Sequence, residues 1–315
     1  MKFTKMHGTG NDYIYINLFP GYDDSVDATY DDNGKLLTVD GRPVDEVARE
    51  VSDRHFGIGS DGLIAIAPSD MADARMIMFN LDGSEGAMCG NGIRCVAKYV
   101  YDKGLVTTDV ISIETASGIR ELELTIEDGV CKYVSVNMGQ AILTPKDIPV
   151  DLSVINLTGI NSSDSNSEKH AVFSGDKIVD CPLDVAGSTY RVTCVSMGNP
   201  HCVIFTEGID DLDLEKVGPL FEKNKAFPEQ VNTEFVEVVD DHTVRMRVWE
   251  RGSGETMSCG TGTCAVTVAS VLNGYVKRGT EVEVQIRGGK LYDTWLESGE
   301  VRMRGPATTV FVGEY

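Results

Sequence analysis

The sequence predicts an α+β protein of two pseudo-symmetric lobes, each a curled β-sheet or barrel wrapped around a central helix. Three observations predict it: an internal repeat, a succession of short alternating segments, and two glycine-flanked cysteines that each open a helical run. A shift of 170 positions lays residues 75–106 on residues 245–276 without a gap. Arg75, Met76, Glu85, Cys89, Gly90, Gly92, Val96, Gly104 and Val106 then meet Arg245, Met246, Glu255, Cys259, Gly260, Gly262, Val266, Gly274 and Val276. Random pairing over such a window gives about two identities at ordinary compositions. Self-similarity at a fixed offset reads as duplication of a structural unit.

The elements follow in chain order. Residues 12–19 (DYIYINLF) have the β-branched and aromatic content of a strand. Residues 23–43 are acidic and turn-rich and read as a surface insertion. Residues 74–79 (ARMIMF) form a strand, a Gly/Ser-rich turn follows, and Cys-Gly-Asn-Gly leads into an apolar-periodic helix. That helix closes at Gly104, the residue type best suited to a left-handed C-terminal cap. Strands are expected at 109–116, 119–127 and 132–138, and a polar Ser/Asn-dense loop at 160–169. Further strands follow at 190–197, 202–207, 234–240 and 244–249. The second turn, Cys-Gly-Thr-Gly and helix then run to Gly274, with strands at 281–288 and 301–305. Alternation in several of these segments favours strands half-buried against a helix. The expected lobes are 1–140 plus 307–315, carrying Cys89, and 141–306, carrying Cys259. A pseudo-twofold relation between them would let both helix starts address one interlobe cleft.

Composition bounds the partners. The chain has 315 residues, 42% of them hydrophobic, and a formal net charge of −21. Its length suits two domains with sizeable cores. The negative charge argues against nucleic acid or an anionic membrane, both of which are bound by clustered Lys and Arg. No run is long enough to span a bilayer. The N-terminus lacks an apolar signal-peptide core, so a cytoplasmic location is expected. Eight cysteines without a secretion signal suit a reducing compartment, and no Cys-x-x-Cys or Cys/His spacing suggests a metal site.

Cys95, Cys131, Cys181, Cys194, Cys202 and Cys264 read as small buried hydrophobes. Either Cys89 or Cys259 alone would read the same way. Two in register, each followed by glycines at a helix start, read differently. Backbone N–H groups and the helix dipole stabilise a thiolate there, which predicts lowered pKa values. The same N–H groups make a site for a carboxylate. One such loop suggests a nucleophile. A matched pair suits inversion of a stereocentre, with a base on one face of the carbon and an acid on the other, and with helix ends stabilising enolate-like charge.

The motifs KMHGTGNDYIYI, DRHFGIGSDGLI, FNLDGSEGAMCGNGIRC, SMGNPHCVIF, VNTEFVEV and WERGSGETMSCGTGTCA occur in order over most of the chain. As a set, the sequence resembles the diaminopimelate epimerase family. The resemblance implies a cofactor-independent epimerase, with no pyridoxal phosphate and no metal, that interconverts LL- and meso-diaminopimelate for lysine and peptidoglycan precursors. It also implies a homodimer. Cys89 and Cys259 match the catalytic cysteines, with Cys89 the proton donor and Cys259 the acceptor for the LL substrate. Gly90, Asn91, Gly260 and Thr261 match the cradle of the reacting carboxylate, and Asn11 a polar residue lining the pocket. Asn80, Asn199, Asn232 and Arg251, with Glu250 beside them, match the residues that hold the distal amino-acid end. His201 and Glu250 match the pair that tunes the thiols. Gly62 departs from the pattern, standing where some members carry a substrate-contacting Gln.

Two other classes compete. Proline and hydroxyproline racemases share the two-cysteine logic, but their first loop usually reads Cys-Gly-His-Gly and a cyclic substrate needs no distal clamp. A non-catalytic amino-acid-binding or thiol redox protein is disfavoured by the missing Cys-x-x-Cys. A cysteine hydrolase has no use for the duplication.

Overall fold

The computed structural model describes residues 1–155 and 177–315, and the chain divides into two units, Met1–Asn137 with Arg304–Tyr315 and Met138–Met303. The polar loop expected at 160–169 lies outside the described residues.

In the first unit, Thr308–Glu314 pairs antiparallel with Lys2–Gly8, which pairs antiparallel with Asn11–Asn17. From there the ladder runs parallel to Gly62–Ala67, antiparallel to Ala74–Asn80, parallel to Val110–Thr115 and antiparallel to Gly118–Glu127. The order of burial explains the two unpredicted central features. Gly62–Ala67 (GLIAIA) is buried throughout, so its sequence shows no alternation. Leu63, Ala65 and Ala67 join a cluster with Ile14, Ile16, Ile77 and Phe79 on one side of the sheet. Helix α1 (Val44–Ser52) covers that side through Val44, Val47, Ala48 and Val51, the i, i+3, i+4, i+7 stripe of an amphipathic helix. The insertion at 23–43 is more than surface. Its segments Ala28–Tyr30, Leu36–Val39 and Arg42–Pro43 form a small antiparallel sheet, and Val26, Leu36 and Val39 are buried in the same cluster.

The other side of the sheet wraps helix α2 (Gly90–Asp102). A Cβ at Gly92 would stand 2.7 Å from Ile64 Cδ1, so the helix start approaches the sheet more closely than any side chain allows. Ile93, Cys95, Val96, Ala97 and Val100 of α2 are fully buried.

The second unit repeats the ladder. Cys181–Val185 and Ser188–Ser196 are antiparallel, and Ser188–Ser196 is antiparallel to Pro200–Phe205. Pro200–Phe205 runs parallel to Asn232–Val238, which is antiparallel to Thr243–Glu250. Thr243–Glu250 runs parallel to Glu281–Ile286, which is antiparallel to Gly289–Trp295. The same alternation of parallel and antiparallel neighbours brackets the two repeat copies, which is the duplication seen as topology. Helix α3 (Leu214–Glu222) covers one core through Phe221, packed with Phe235 and Trp249. Helix α4 (Gly260–Leu272) is apolar on all sides and buried almost throughout, as a helix enclosed by its sheet must be. Gly104 and Gly274, at φ 70° and 74°, end the two central helices as expected.

Candidate active site

Both cysteines are helix N-caps. Cys89 precedes α2 with φ −133° and ψ 119°, and Cys259 precedes α4 with φ −123° and ψ 105°. Extended backbone at the cap turns the first helical N–H groups toward the sulfur side of the turn. The Gly92 N–H donates to Cys89 Sγ at 3.3 Å, and Cys89 Sγ donates to Asn11 Oδ1 at 3.2 Å. The Tyr13 hydroxyl also favours the thiolate at this sulfur. Asn91 is buried, and its side chain accepts from Arg94 Nη2 at 2.9 Å. Arg94 is fully buried and braces the turn, donating also to the Gly90 carbonyl at 3.2 Å and to the Pro306 carbonyl at 3.3 Å. Asn80 ends its strand in a separate turn, where its Nδ2 donates to Ser84 Oγ at 3.0 Å.

In the second unit a continuous chain of contacts starts at Cys259. Its Sγ lies 3.5 Å from Thr261 Oγ1, which accepts from Asn199 Nδ2 at 3.3 Å. Asn199 Oδ1 lies 3.1 Å from His201 Nε2, and His201 Nδ1 lies 2.7 Å from Glu234 Oε1. His201 and Glu234 have no exposed surface. Asn232 joins the Pro200 carbonyl at 3.0 Å to the backbone N–H of Arg251 at 2.9 Å, and the exposed Arg251 donates to the Glu229 carbonyl at 2.9 Å. Glu250 accepts from the Thr256 hydroxyl.

The sequence-predicted residues therefore fall into three local groups. Asn11, Gly90, Asn91 and Cys89 meet in the first unit; Cys259, Gly260, Thr261, Asn199 and His201 meet in the second; Asn232 and Arg251 form a pair of their own. The carboxylate on His201 is Glu234, which sequence reasoning missed; Glu250 acts on Cys259 through its charge. Glu234 also stands over the cysteine turn. A Cβ at Gly262 would meet Glu234 Oε1 at 2.9 Å and Cys259 Sγ at 3.2 Å, so only glycine fits there. The one sequence signal for it is a carboxylate in the middle of an alternating strand. Arg94 was likewise missed, because its role comes from burial. Gly62, the departure from the family pattern, has a steric cause: a Cβ there would stand 2.1 Å from the Phe79 carbonyl oxygen and 3.0 Å from the Tyr13 ring.

The expected lowering of the thiol pKa values is corrected by the structure. Burial pushes the Cys89 thiol up, against the N–H groups of Gly92 and Asn91, the Tyr13 hydroxyl and Arg94. Burial pushes the Cys259 thiol well up, and the carboxylates of Glu250 and Glu234 add to it, against Thr261 and Gly262. Desolvation of a thiolate outweighs the helix end at both sites. Elsewhere burial raises Cys95 to about 11 and Cys131 to about 12, and lifts Cys181 and Cys202.

These raised thiols carry a stability prediction. Unfolded cysteines ionise near ~8.5, so above that pH the unfolded chain holds fewer protons than the native one. Stability then falls as pH rises, by about 1.4 kcal/mol per pH unit for each thiol that stays protonated in the fold. Calorimetry under reductant should show Tm falling steadily between pH 8 and pH 10. A Tm flat to pH 10 would contradict the protected thiols.

The diaminopimelate epimerase family profile matches residues 3–144 and 193–310. A diaminopimelate epimerase of Desulfovibrio desulfuricans is 50% identical over 100% of this chain and 98% of its own length. One from Acetivibrio thermocellus is 49% identical over 100% and 98%. The chain belongs to the diaminopimelate epimerase family. It is accordingly an isomerase, an epimerase by family. Solved structures share the fold at low identity. A phenazine biosynthesis protein of the PhzF family from Bacillus anthracis superposes with TM-score 0.64 at 16% identity, covering 100% of this chain and 98% of the other. A hydroxyproline epimerase from Agrobacterium vitis, solved with trans-4-hydroxy-L-proline, gives TM-score 0.60 at 17% identity, covering 99% and 91%. The curled α+β fold expected for the diaminopimelate epimerase family is the fold observed. Among the described residues, no helix is long and apolar enough to cross a membrane.

Proposed function

We propose that the protein interconverts LL- and meso-2,6-diaminopimelate by a two-cysteine acid–base mechanism without pyridoxal phosphate, supplying lysine and peptidoglycan precursor synthesis in the cytoplasm, and that it works as a homodimer. The observation that carries the reading is the pair of cysteine N-caps, one in each unit of a duplicated chain that belongs to this family. Epimerisation removes the α-hydrogen as a proton and returns a proton from the other face of the carbon. One cysteine, as thiolate, takes the first proton and becomes a thiol; the other, as thiol, gives the second and becomes a thiolate. In the reverse reaction the roles exchange.

The electron pair left on carbon spreads into the carboxylate. Backbone N–H groups at Gly90 and Asn91 and at Gly260 and Thr261 are suited to hold that developing charge, each set opening a helix. Arg251, Asn232, Asn199 and Asn80 supply donors and acceptors for a zwitterionic distal end, and Asn11 is a polar residue beside Cys89. Such a clamp is what a cyclic imino acid lacks, and it favours diaminopimelate over proline. His201 and Glu250 adjust the charge around Cys259.

The test is solvent exchange. Reduced protein freed of pyridoxal phosphate, given LL-diaminopimelate in heavy water, should form the meso isomer with deuterium at the inverted α-carbon. Exchange into proline in place of diaminopimelate would move the protein to the racemase reading, and exchange into neither would remove both.

A further inference from the structure

Asn11 stands between a carboxylate and a thiol. Its Nδ2 lies 2.6 Å from Asp61 Oδ2 and its Oδ1 lies 3.2 Å from Cys89 Sγ. Asp61 Oδ2 also accepts the Asp12 backbone N–H at 3.0 Å, and its Oδ1 accepts from Arg54 Nη2 at 2.9 Å. The Asp12 N–H and Arg54 each donate to this carboxyl group, one to either oxygen, which leaves it the role of acceptor toward Asn11 as well. Only the NH2 of the Asn11 amide can therefore face Asp61, and the carbonyl oxygen is left for the sulfur.

The lock is itself braced. Arg54 donates to Asp12 Oδ1 at 2.7 Å as well as to Asp61. Asp12 also pairs with the buried ammonium of Lys5, which reaches the Gly59 carbonyl. Burial would raise the Asp12 carboxyl, but Arg54 and Lys5 hold it below its usual range. Asp61 thus hangs on a fixed ionic frame built by Lys2–Gly8, Asn11–Asn17 and the turn before Gly62.

An acceptor at sulfur stabilises the S–H form and offers nothing to a thiolate. The other groups facing Cys89 are the N–H groups of Gly92 and Asn91, the Tyr13 hydroxyl and Arg94, which favour the thiolate, and the phenol of Tyr15 and the thiol of Cys95. Against these groups, the Asn11 oxygen accepts from the sulfur, alone in that role among the described residues. We infer that Asp61 is a positioning residue: by fixing the Asn11 amide it presents an oxygen to Cys89 and helps to keep that thiol protonated in the free enzyme. The catalytic consequence rests on the two-cysteine reading; the lock does not.

The experiment is a double-mutant cycle read by alkylation. Iodoacetamide modification of Cys89 is followed by peptide mass spectrometry from pH 6 to pH 10 in the full-length wild type, Asp61→Ala, Asn11→Ala and the double variant. In Asp61→Ala the amide is free to turn its NH2 to sulfur, so thiolate forms at lower pH and modification at pH 7 should be about 5-fold faster, a shift somewhat under one pKa unit. In the Asn11→Ala background the same change should alter the rate by less than about 1.5-fold, since the interaction has already been removed. Asp61→Asn, which keeps the volume, should move the rate the same way by a smaller factor and covers the case in which the alanine variant folds poorly. Equal acceleration in both backgrounds would show that Asp61 acts through its charge alone, and no acceleration in either Asp61 variant would show that the amide is not held by it. Both results overturn the inference. A wild type that passes this cycle yet fails to exchange deuterium into diaminopimelate would keep the lock and lose the epimerase reading.

Discussion

Cys259→Ala and Cys89→Ala should each lower turnover of LL-diaminopimelate to the meso isomer by about 10³-fold or more, within or above the range for loss of a positioned acid or base. The expectation follows from symmetry. Each residue caps a buried helix in the same extended geometry. Alanine removes one sulfur atom from sites that are half-buried or buried, so the fold should survive. The two variants differ in what they keep. With Cys259 as the one remaining thiol of the pair, one isomer can still lose its α-proton and regain it on the same face, washing in deuterium without inversion. With Cys89 as the one remaining thiol, the other isomer should do so. Deuterium wash-in followed by mass spectrometry and chiral chromatography separates these half-reactions. Equal residual inversion in both variants would show that neither cysteine is the acid or the base.

The raised thiols bear on this mechanism. Because burial holds both cysteines up in the free protein, ionisation of one must be helped at the moment of reaction. The carboxylates of Glu250 and Glu234 beside Cys259 oppose it, and the contact of Glu234 with His201 offsets part of that opposition.

How far the sequence carries is clearest residue by residue. The repeat, the two cysteine caps and the helix ends at Gly104 and Gly274 were legible because they depend on local backbone chemistry. Gly62–Ala67 was not legible as a strand, since a segment buried on both faces loses its alternation. Leu36 and Val39 looked like stray apolar residues in an acidic insertion; their burial against α1 exists only in the fold. The helix ends do favour thiolates at Cys89 and Cys259, but the desolvation that outweighs them cannot be read from neighbours in sequence. Glu234 meets His201 because strand Pro200–Phe205 runs parallel to Asn232–Val238, a pairing made across a helix and its loops.

That pair carries the second large effect. Glu234→Ala should destabilise the protein by about 3–5 kcal/mol, the usual cost of removing one member of a buried, hydrogen-bonded charge pair. Glu234 has no exposed surface, and its described hydrogen bonding is concentrated on His201 through Oε1 at 2.7 Å. The opposite ring nitrogen faces another oxygen, Asn199 Oδ1 at 3.1 Å. The ring is thus held between a buried carboxylate and an amide oxygen, and removing the carboxylate leaves Nδ1 buried without its partner. Burial, with the charge of Glu250, lifts the Glu234 carboxyl above its usual range against the pull of His201, so losing that contact would lift it further. Glu234→Gln tests the charge apart from the shape. It fills the same volume and keeps a hydrogen bond to Nδ1, so most of the stability should return, to within about 1 kcal/mol of wild type. Turnover should not return with it: kcat should remain at least about 10-fold down while KM changes little, because the loss lies in charge near Cys259 and not in substrate contacts. Denaturant titration and steady-state kinetics on the two variants decide it. A Glu234→Ala protein as stable as wild type would remove the buried pair from the account, and a Glu234→Gln enzyme with full kcat would leave the pair a purely structural part of the second unit.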